Sequence, residues 1–434
     1  MKNLFKFFFI MIFIGSCSLN SNSSLWTKKT EIKKDRILKT RQIVEKEKIL
    51  KNELNINLKI DLSNEKIENL YLQNFNNNNG RSNYDGKLKS ISRYKFSKIE
   101  NFHQYEPEIA IDKKNIIFFN NKGTVLKFDD KTKLIWKKNN YSKSERKLKP
   151  ILFFSNNQNL LIVADTVAKY YALNINSGEI IWSKNNIAPF NSQIKIFKQN
   201  FFIVDSENVI RCFSITDGSV IWTFKTDKPF IKSQKKNSLV IKNDMIIFNN
   251  SLGDITALDL YSGELKWQTP TQTKAIYENA LFLKNSDLIV GKNSIFSSNN
   301  MNEFFSIDSN TGTINWKQKI NSELRPTFIN NLIFSITNEG YFVVIDNETG
   351  NLIRSTNVLK NIKNKKIKKF KPVGFIVGKK NIYLTTSNGR LFVIDILTGN
   401  TKSVLKIDNE KISRPIVLDQ NLFIIKENSI IKLN

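Results

Sequence analysis

One eleven-residue pattern recurs along the chain, and it constrains the fold more than any other feature. It reads Ala-x-Asp-x-x-(Ser/Thr)-Gly-x-x-x-Trp and appears as "ALNINSGEIIW" (172–182), "CFSITDGSVIW" (212–222), "ALDLYSGELKW" (257–267) and "SIDSNTGTINW" (306–316). An earlier copy, "LKFDDKTKLIW" (126–136), lacks the glycine. Two later copies, "VIDNETGNLIR" (344–354) and "VIDILTGNTKS" (393–403), keep the turn but carry Arg354 and Ser403 in the tryptophan position. Five of the six tryptophans, Trp136, Trp182, Trp222, Trp267 and Trp316, therefore end a copy. Equivalent ends lie about 40 to 50 residues apart, which in a chain of short strands signals a propeller blade and not a helical solenoid.

The segment before each copy is equally regular: "NIIFFNN", "LLIVAD", "FFIVDS", "MIIFNNS", "SIFSSNN", "LIFSITN" and "NIYLTTSN". β-Branched and aromatic runs bounded by Asn, Gly and Ser are strand signals. "NLFIIKENSIIKLN" at the end of the sequence makes an eighth hairpin with no strand after it. The alternating stretch "LKSISRYKFSK" (88–98) is suited to supply that strand. The expected fold is thus an all-β, eight-bladed propeller closed by strands from the two ends, which avoids unpaired sheet edges.

Within the motif, a short acidic or amide side chain (Asn174, Asp259, Asp308, Asp346, Asp395) precedes the turn and can accept backbone N–H bonds. The glycine supplies a backbone conformation that other residues adopt at a cost. The tryptophan opens the next strand. Its ring can cover the gap between sheets while its N–H finds a backbone acceptor, so the five are assigned to structural docking. Five equivalent places around a ring cannot all face one ligand.

Composition narrows the function. The single histidine, His103, stands in "NFHQY" with no evident partner, and the two cysteines are Cys17 and Cys212. A Ser-His-Asp site lacks its usual base, and a Cys/His metal site lacks its three or four ligands. No catalytic, cofactor-binding or metal-binding residue is assigned. Lys and Arg exceed Asp and Glu by 67 − 39 = 28. The excess is spread along the chain and mixed with Asn, Ile and Phe, as a solvated surface would be. Its densest stretch, "KNIKNKKIKKFK" (360–371), suits either an inter-blade loop or an anionic lipid surface. It lacks the interleaved aromatics of a single-strand binder, so nucleic acid is not an expected partner.

The N-terminus reads as an address. Lys2 and Lys6 precede an apolar run at 7–14 that is too short to cross a bilayer as a helix. "IGSC" follows and resembles the bacterial lipobox, in which the cysteine, here Cys17, is lipidated and becomes the new terminus; the alternative is an ordinary cleaved signal. The resulting division is a lipoprotein signal peptide (1–16), a lipidated polar tether (17–65) and the propeller (66–434). By the same resemblance, Ser18 in place of an aspartate points to the outer membrane. With Cys17 acylated, no disulfide is expected within the chain.

The repeated motif resembles the tryptophan-docking repeat of quinoprotein-type propellers over roughly residues 85–434. Two families share it. The pyrroloquinoline quinone dehydrogenases stack their cofactor against a disulfide of adjacent cysteines, and no such pair exists in this sequence. The BamB-type lipoproteins of the outer-membrane β-barrel assembly (BAM) machinery are non-enzymatic and match the lipid address, the tether and the eight blades; the long tether is closer to their alphaproteobacterial members. That resemblance implies a monomer within a hetero-complex on the periplasmic face of the outer membrane. Its partners would be the periplasmic domains of the central barrel-inserting subunit and unfolded outer-membrane proteins. It also implies docking through loops after the blades, which here offer Phe230, Ile231 and Lys232 in one loop and Glu278 in the next; for Phe230 and Ile231 the alternative is an inner strand. A quinone-dependent dehydrogenase and a generic protein-binding envelope lipoprotein are the alternatives.

Overall fold

The computed structural model describes residues 53–55, 57, 60, 62, 78–157, 159–228, 235–272, 283–363 and 368–434. The chain divides into two compact units, Met1–Lys51 and Asn52–Asn434, and the first lies outside the described residues. The second consists of eight antiparallel four-stranded sheets, the blades of a propeller. The first strands of successive blades contact one another and line the central channel. The only helix among the described residues is the single turn Lys143–Lys147.

Blade 3 shows why the sequence folds this way. Its strands are Lys195–Phe197, Asn200–Val204, Val209–Ser214 and Val220–Lys225, from channel to rim. The middle two are covered on both faces by neighbouring blades. They are accordingly apolar almost throughout, with Phe201, Phe202, Ile203 and Val204 wholly buried. The rim strand has one wet face and leaves Val220 and Ile221 about half exposed. The core consequently lies between blades, as apolar clusters that each join neighbouring sheets.

Blade 8 closes the ring as the sequence predicts. Its inner three strands come from the C-terminal end, and Ser90–Lys95 pairs antiparallel with Ser429–Leu433 as the rim strand. Ser90 stands opposite Leu433 and Lys95 opposite Ser429.

Some residues that the sequence places in the tether pack on this body. Leu54 and Ser355 exchange both backbone hydrogen bonds, at 2.9 and 3.2 Å, on the rim edge of blade 6. Ile60 and Leu62 are buried in the apolar cluster between blades 6 and 7. A rim strand presents unpaired backbone groups, and the buried Ile60 and Leu62 give the segment a reason to cover them.

Candidate functional site

The joints between blades are built the same way five times. Trp267 faces Ala257 across its sheet, but the next pair is Leu258 with Leu265, so one residue is extra. That bulge recurs at the same step in seven blades. A bulge re-aims the neighbouring side chain, and here the indole reaches the following blade. Trp136, Trp182, Trp222, Trp267 and Trp316 donate Nε1–H to the carbonyls of Ile175, Ile215, Leu260, Ser309 and Asn347, at 2.7 to 3.4 Å. Each acceptor lies one residue past the motif's Asp position.

The receiving turn is set by that side chain. Asp259 Oδ1 accepts the N–H groups of Tyr261 and Ser262 at 3.0 and 2.9 Å. The bond from Ser262 does most to hold the carboxyl down at about 2. Gly263 then turns with φ of +75° and lies under the preceding blade's Trp222. The motif glycine thus has two duties, a left-handed backbone and a bare surface for an indole.

Where the sixth joint lacks a tryptophan, Arg354 takes over. Its side chain is wholly buried. Nη1 donates to the Leu397 carbonyl, and Nη2 donates to the Asn55 carbonyl at 2.8 Å. One guanidinium therefore ties blade 6 both to blade 7 and to the segment that carries Leu54. At the seventh position Ser403 is exposed and makes no such link.

The channel has two distinct ends. Residues Asn78 to Tyr84 run along it from where the inner strands finish. Ser82 N–H donates to the Val377 carbonyl at 2.9 Å, and Arg81 Nε donates to that of Gly378 at 3.1 Å. Asn78 reaches the level where the inner strands of blades 4 and 5 begin. There its Nδ2 donates to the carbonyls of Leu239 and Leu288, both at 3.1 Å, while the buried Lys195 Nζ donates to its Oδ1 at 2.6 Å.

At that level lies a cavity of about 70 Å³, walled by charged residues that precede five inner strands. Arg325 Nε donates to Asp287 Oδ2 at 2.6 Å, and Lys236 pairs with Glu108 at 2.9 Å. Glu106 is shared by Lys235 at 3.3 Å and Lys411 at 3.6 Å. Burial would raise the Asp287 carboxyl, but Arg325, Lys236 and Lys235 outweigh it and hold the group well below the usual range. Arg414 completes the wall. Burial, reinforced by Arg325, lowers its guanidinium to about 9.

The sequence-assigned partner residues Phe230, Ile231, Lys232 and Glu278 lie outside the described residues, as does Cys17. Residues 364–367 of the basic loop do too. His103 packs edge-on against Phe102, with ring centres 5.9 Å apart. Cys212 is buried in the third strand of blade 3, where burial pushes its thiol up to about 12. The cavity cluster was not visible in the sequence. Its members come from loops spread between residues 106 and 414, and no local spacing joins them.

Comparison with known proteins agrees with this architecture. The family model "Outer membrane protein assembly factor BamB" matches residues 121–356, just over half of the chain. A curated outer membrane protein assembly factor BamB from Legionella pneumophila (strain Paris) is 24% identical over 195 residues. That match spans 43% of this chain and 46% of the relative, so the chain aligns with about half of the relative's length. Among solved structures, BamB from Moraxella catarrhalis superposes with a TM-score of 0.66 at 13% identity, over 80% of this chain and 99% of that one. The quinohemoprotein alcohol dehydrogenase of Comamonas testosteroni shares the fold with a TM-score of 0.62 at 9% identity, over 84% of this chain and 81% of that one. Likenesses at such identities establish the propeller alone, whereas the family model covers the tryptophan joints themselves, from Trp136 to Arg354. On that ground, the chain belongs to the outer membrane protein assembly factor BamB family.

Proposed function

We propose that this protein is a non-enzymatic scaffold of the outer-membrane β-barrel assembly machinery, anchored to the periplasmic face of the outer membrane through a lipid on Cys17. In this reading it docks on the periplasmic domains of the central barrel-inserting subunit and helps deliver unfolded barrel proteins. The family match over residues 121–356 carries the proposal. The loop holding Phe230, Ile231 and Lys232 and the loop holding Glu278 are the proposed docking elements, and the part of the tether between Cys17 and the docked Leu54 gives the ring reach from the membrane.

The likeness to the quinohemoprotein dehydrogenase motivates the rival reading, a quinone-dependent enzyme. Its residue requirements fit poorly. Among the described residues there is no group of three or more His, Cys, Asp or Glu arranged to hold a metal ion, and the channel is partly filled by Asn78 to Tyr84. Cys212 stands alone inside a strand.

The test is a pull-down of the tagged protein from detergent-solubilised membranes. Co-purification of the barrel-inserting subunit is expected. Its absence, together with saturable quinone and calcium binding and dye-linked dehydrogenase activity, would replace the scaffold with the enzyme.

A further inference from the structure

We propose that the charged end of the central channel is a binding site for a carboxylate that carries a short apolar substituent. The proposal goes beyond the scaffold reading and stands whether or not the barrel-inserting subunit is captured.

Arg414 is the first observation. Its Nε is committed to the Phe375 carbonyl at 2.8 Å. Neither Nη has a hydrogen-bond acceptor or an ion-pair partner among the described residues, and the side chain lines the cavity. Every carboxylate of the wall is already taken: Asp287 by Arg325, Glu108 by Lys236, and Glu106 by Lys235 and Lys411. Five cations, Lys235, Lys236, Lys411, Arg325 and Arg414, thus face three carboxylates, and the one that no carboxylate among the described residues pairs, Arg414, is a planar two-pronged donor. Such a fork matches the two oxygens of a carboxylate.

The rest of the wall describes what the carboxylate should carry. Ile376, Ile416, Val417 and Ile425 line the same cavity. An apolar group bound there leaves water while the carboxylate keeps its charge partner. Size and access limit the ligand further. A cavity of about 70 Å³ holds on the order of five waters, enough for a head group and a short branch. Asn78 fills the channel beneath it, so a ligand enters end-on. A free small branched acid and the C-terminal residue of a polypeptide with an apolar last side chain share this chemistry.

The full chain, purified in detergent, is titrated calorimetrically with isovalerate, a hexapeptide ending in Leu with a free carboxylate, the same peptide amidated, and inorganic phosphate. Saturable binding of at least one carboxylate is expected. If the peptide acid binds, the amide should be at least ~10-fold weaker, because it lacks the charge that Arg414 would meet. Arg414→Met should weaken the best carboxylate by ~10-fold or more while the variant keeps a cooperative melting transition. Tighter binding of the peptide acid than of isovalerate would identify a chain end as the ligand, and the reverse a free acid. Absence of saturation by both carboxylates, equal affinity for acid and amide peptides, or phosphate as the tightest ligand would overturn the proposal. Should Arg414→Met fail to fold, isovalerate against its uncharged amide on the unaltered chain decides the same question.

Discussion

Trp222 packs against Gly263 of the next blade so closely that a Cβ on Gly263 would stand 2.6 Å from the indole Cδ2. The same relation holds for Trp136 with Gly178, Trp182 with Gly218, Trp267 with Gly312 and Trp316 with Gly350. Tryptophan and glycine, four residues apart within one motif, in fact serve different joints. The tryptophan reaches forward to the next blade, and the glycine receives the blade behind.

Gly263→Ala should therefore cost more than a left-handed alanine alone. The backbone term is about 1–2 kcal/mol, and the clash adds roughly 1–3 kcal/mol. Trp222→Ala should cost about 3–5 kcal/mol through the cavity it leaves. The double variant should be less destabilised than the sum, since without the indole only the backbone term of Gly263→Ala remains. Denaturant unfolding of the four proteins measures this, and strict additivity would mean that the two residues do not meet.

Arg354→Ala removes both prongs of the sixth joint and leaves the carbonyls of Leu397 and Asn55 without that donor. A loss of about 2–4 kcal/mol is expected. Limited proteolysis should then cut between residues 52 and 62 earlier than in the unaltered protein. Arg354→Lys should restore little, because an ammonium does not reproduce the fork.

These joints mark how far the sequence could be read. Blade number, ring closure and the positions of Trp136 to Trp316 followed from spacing, because each blade repeats one local solution. Arg354 is legible in the sequence only as a gap in the pattern. The structure fills that gap with the guanidinium and with Leu54, Ile60 and Leu62. Nothing local announced this, since the covering residues are some 300 positions away in sequence. The channel contents were hidden for the same reason. Asn78 lies in a plain Asn run, and its meaning depends on Lys195, Leu239 and Leu288.

Deletion of residues 429–434 removes the strand that joins Ser90–Lys95 to blade 8. The open ring would expose two long edges. Loss of the cooperative melting transition or aggregation on purification is expected, and unaltered stability would argue against closure by the termini.

Lys195 gives the channel a pH signature. Burial is the largest cause lowering its ammonium to about 7, with Arg325 and Lys236 opposing the charge and Glu108 and Asp287 supporting it. The unfolded chain, with a lysine near 10.4, binds more protons than the folded one between about pH 7 and 10. This group's contribution to stability therefore rises with pH across that window. Below pH 7 the buried charge is present and its full cost applies. Lys195→Met should flatten the rise in melting temperature between pH 7 and 9.5. An identical slope in both proteins would mean that Lys195 does not titrate there.

Docking is tested by titrating the full chain in detergent with the purified periplasmic domains of the barrel-inserting subunit. Saturable one-to-one binding is expected, and it should weaken at least ~10-fold when Phe230 and Ile231 are both changed to Asp, since buried apolar anchors carry most interface energy. No binding by a chain whose melting is cooperative would mean that the propeller does not dock on that subunit.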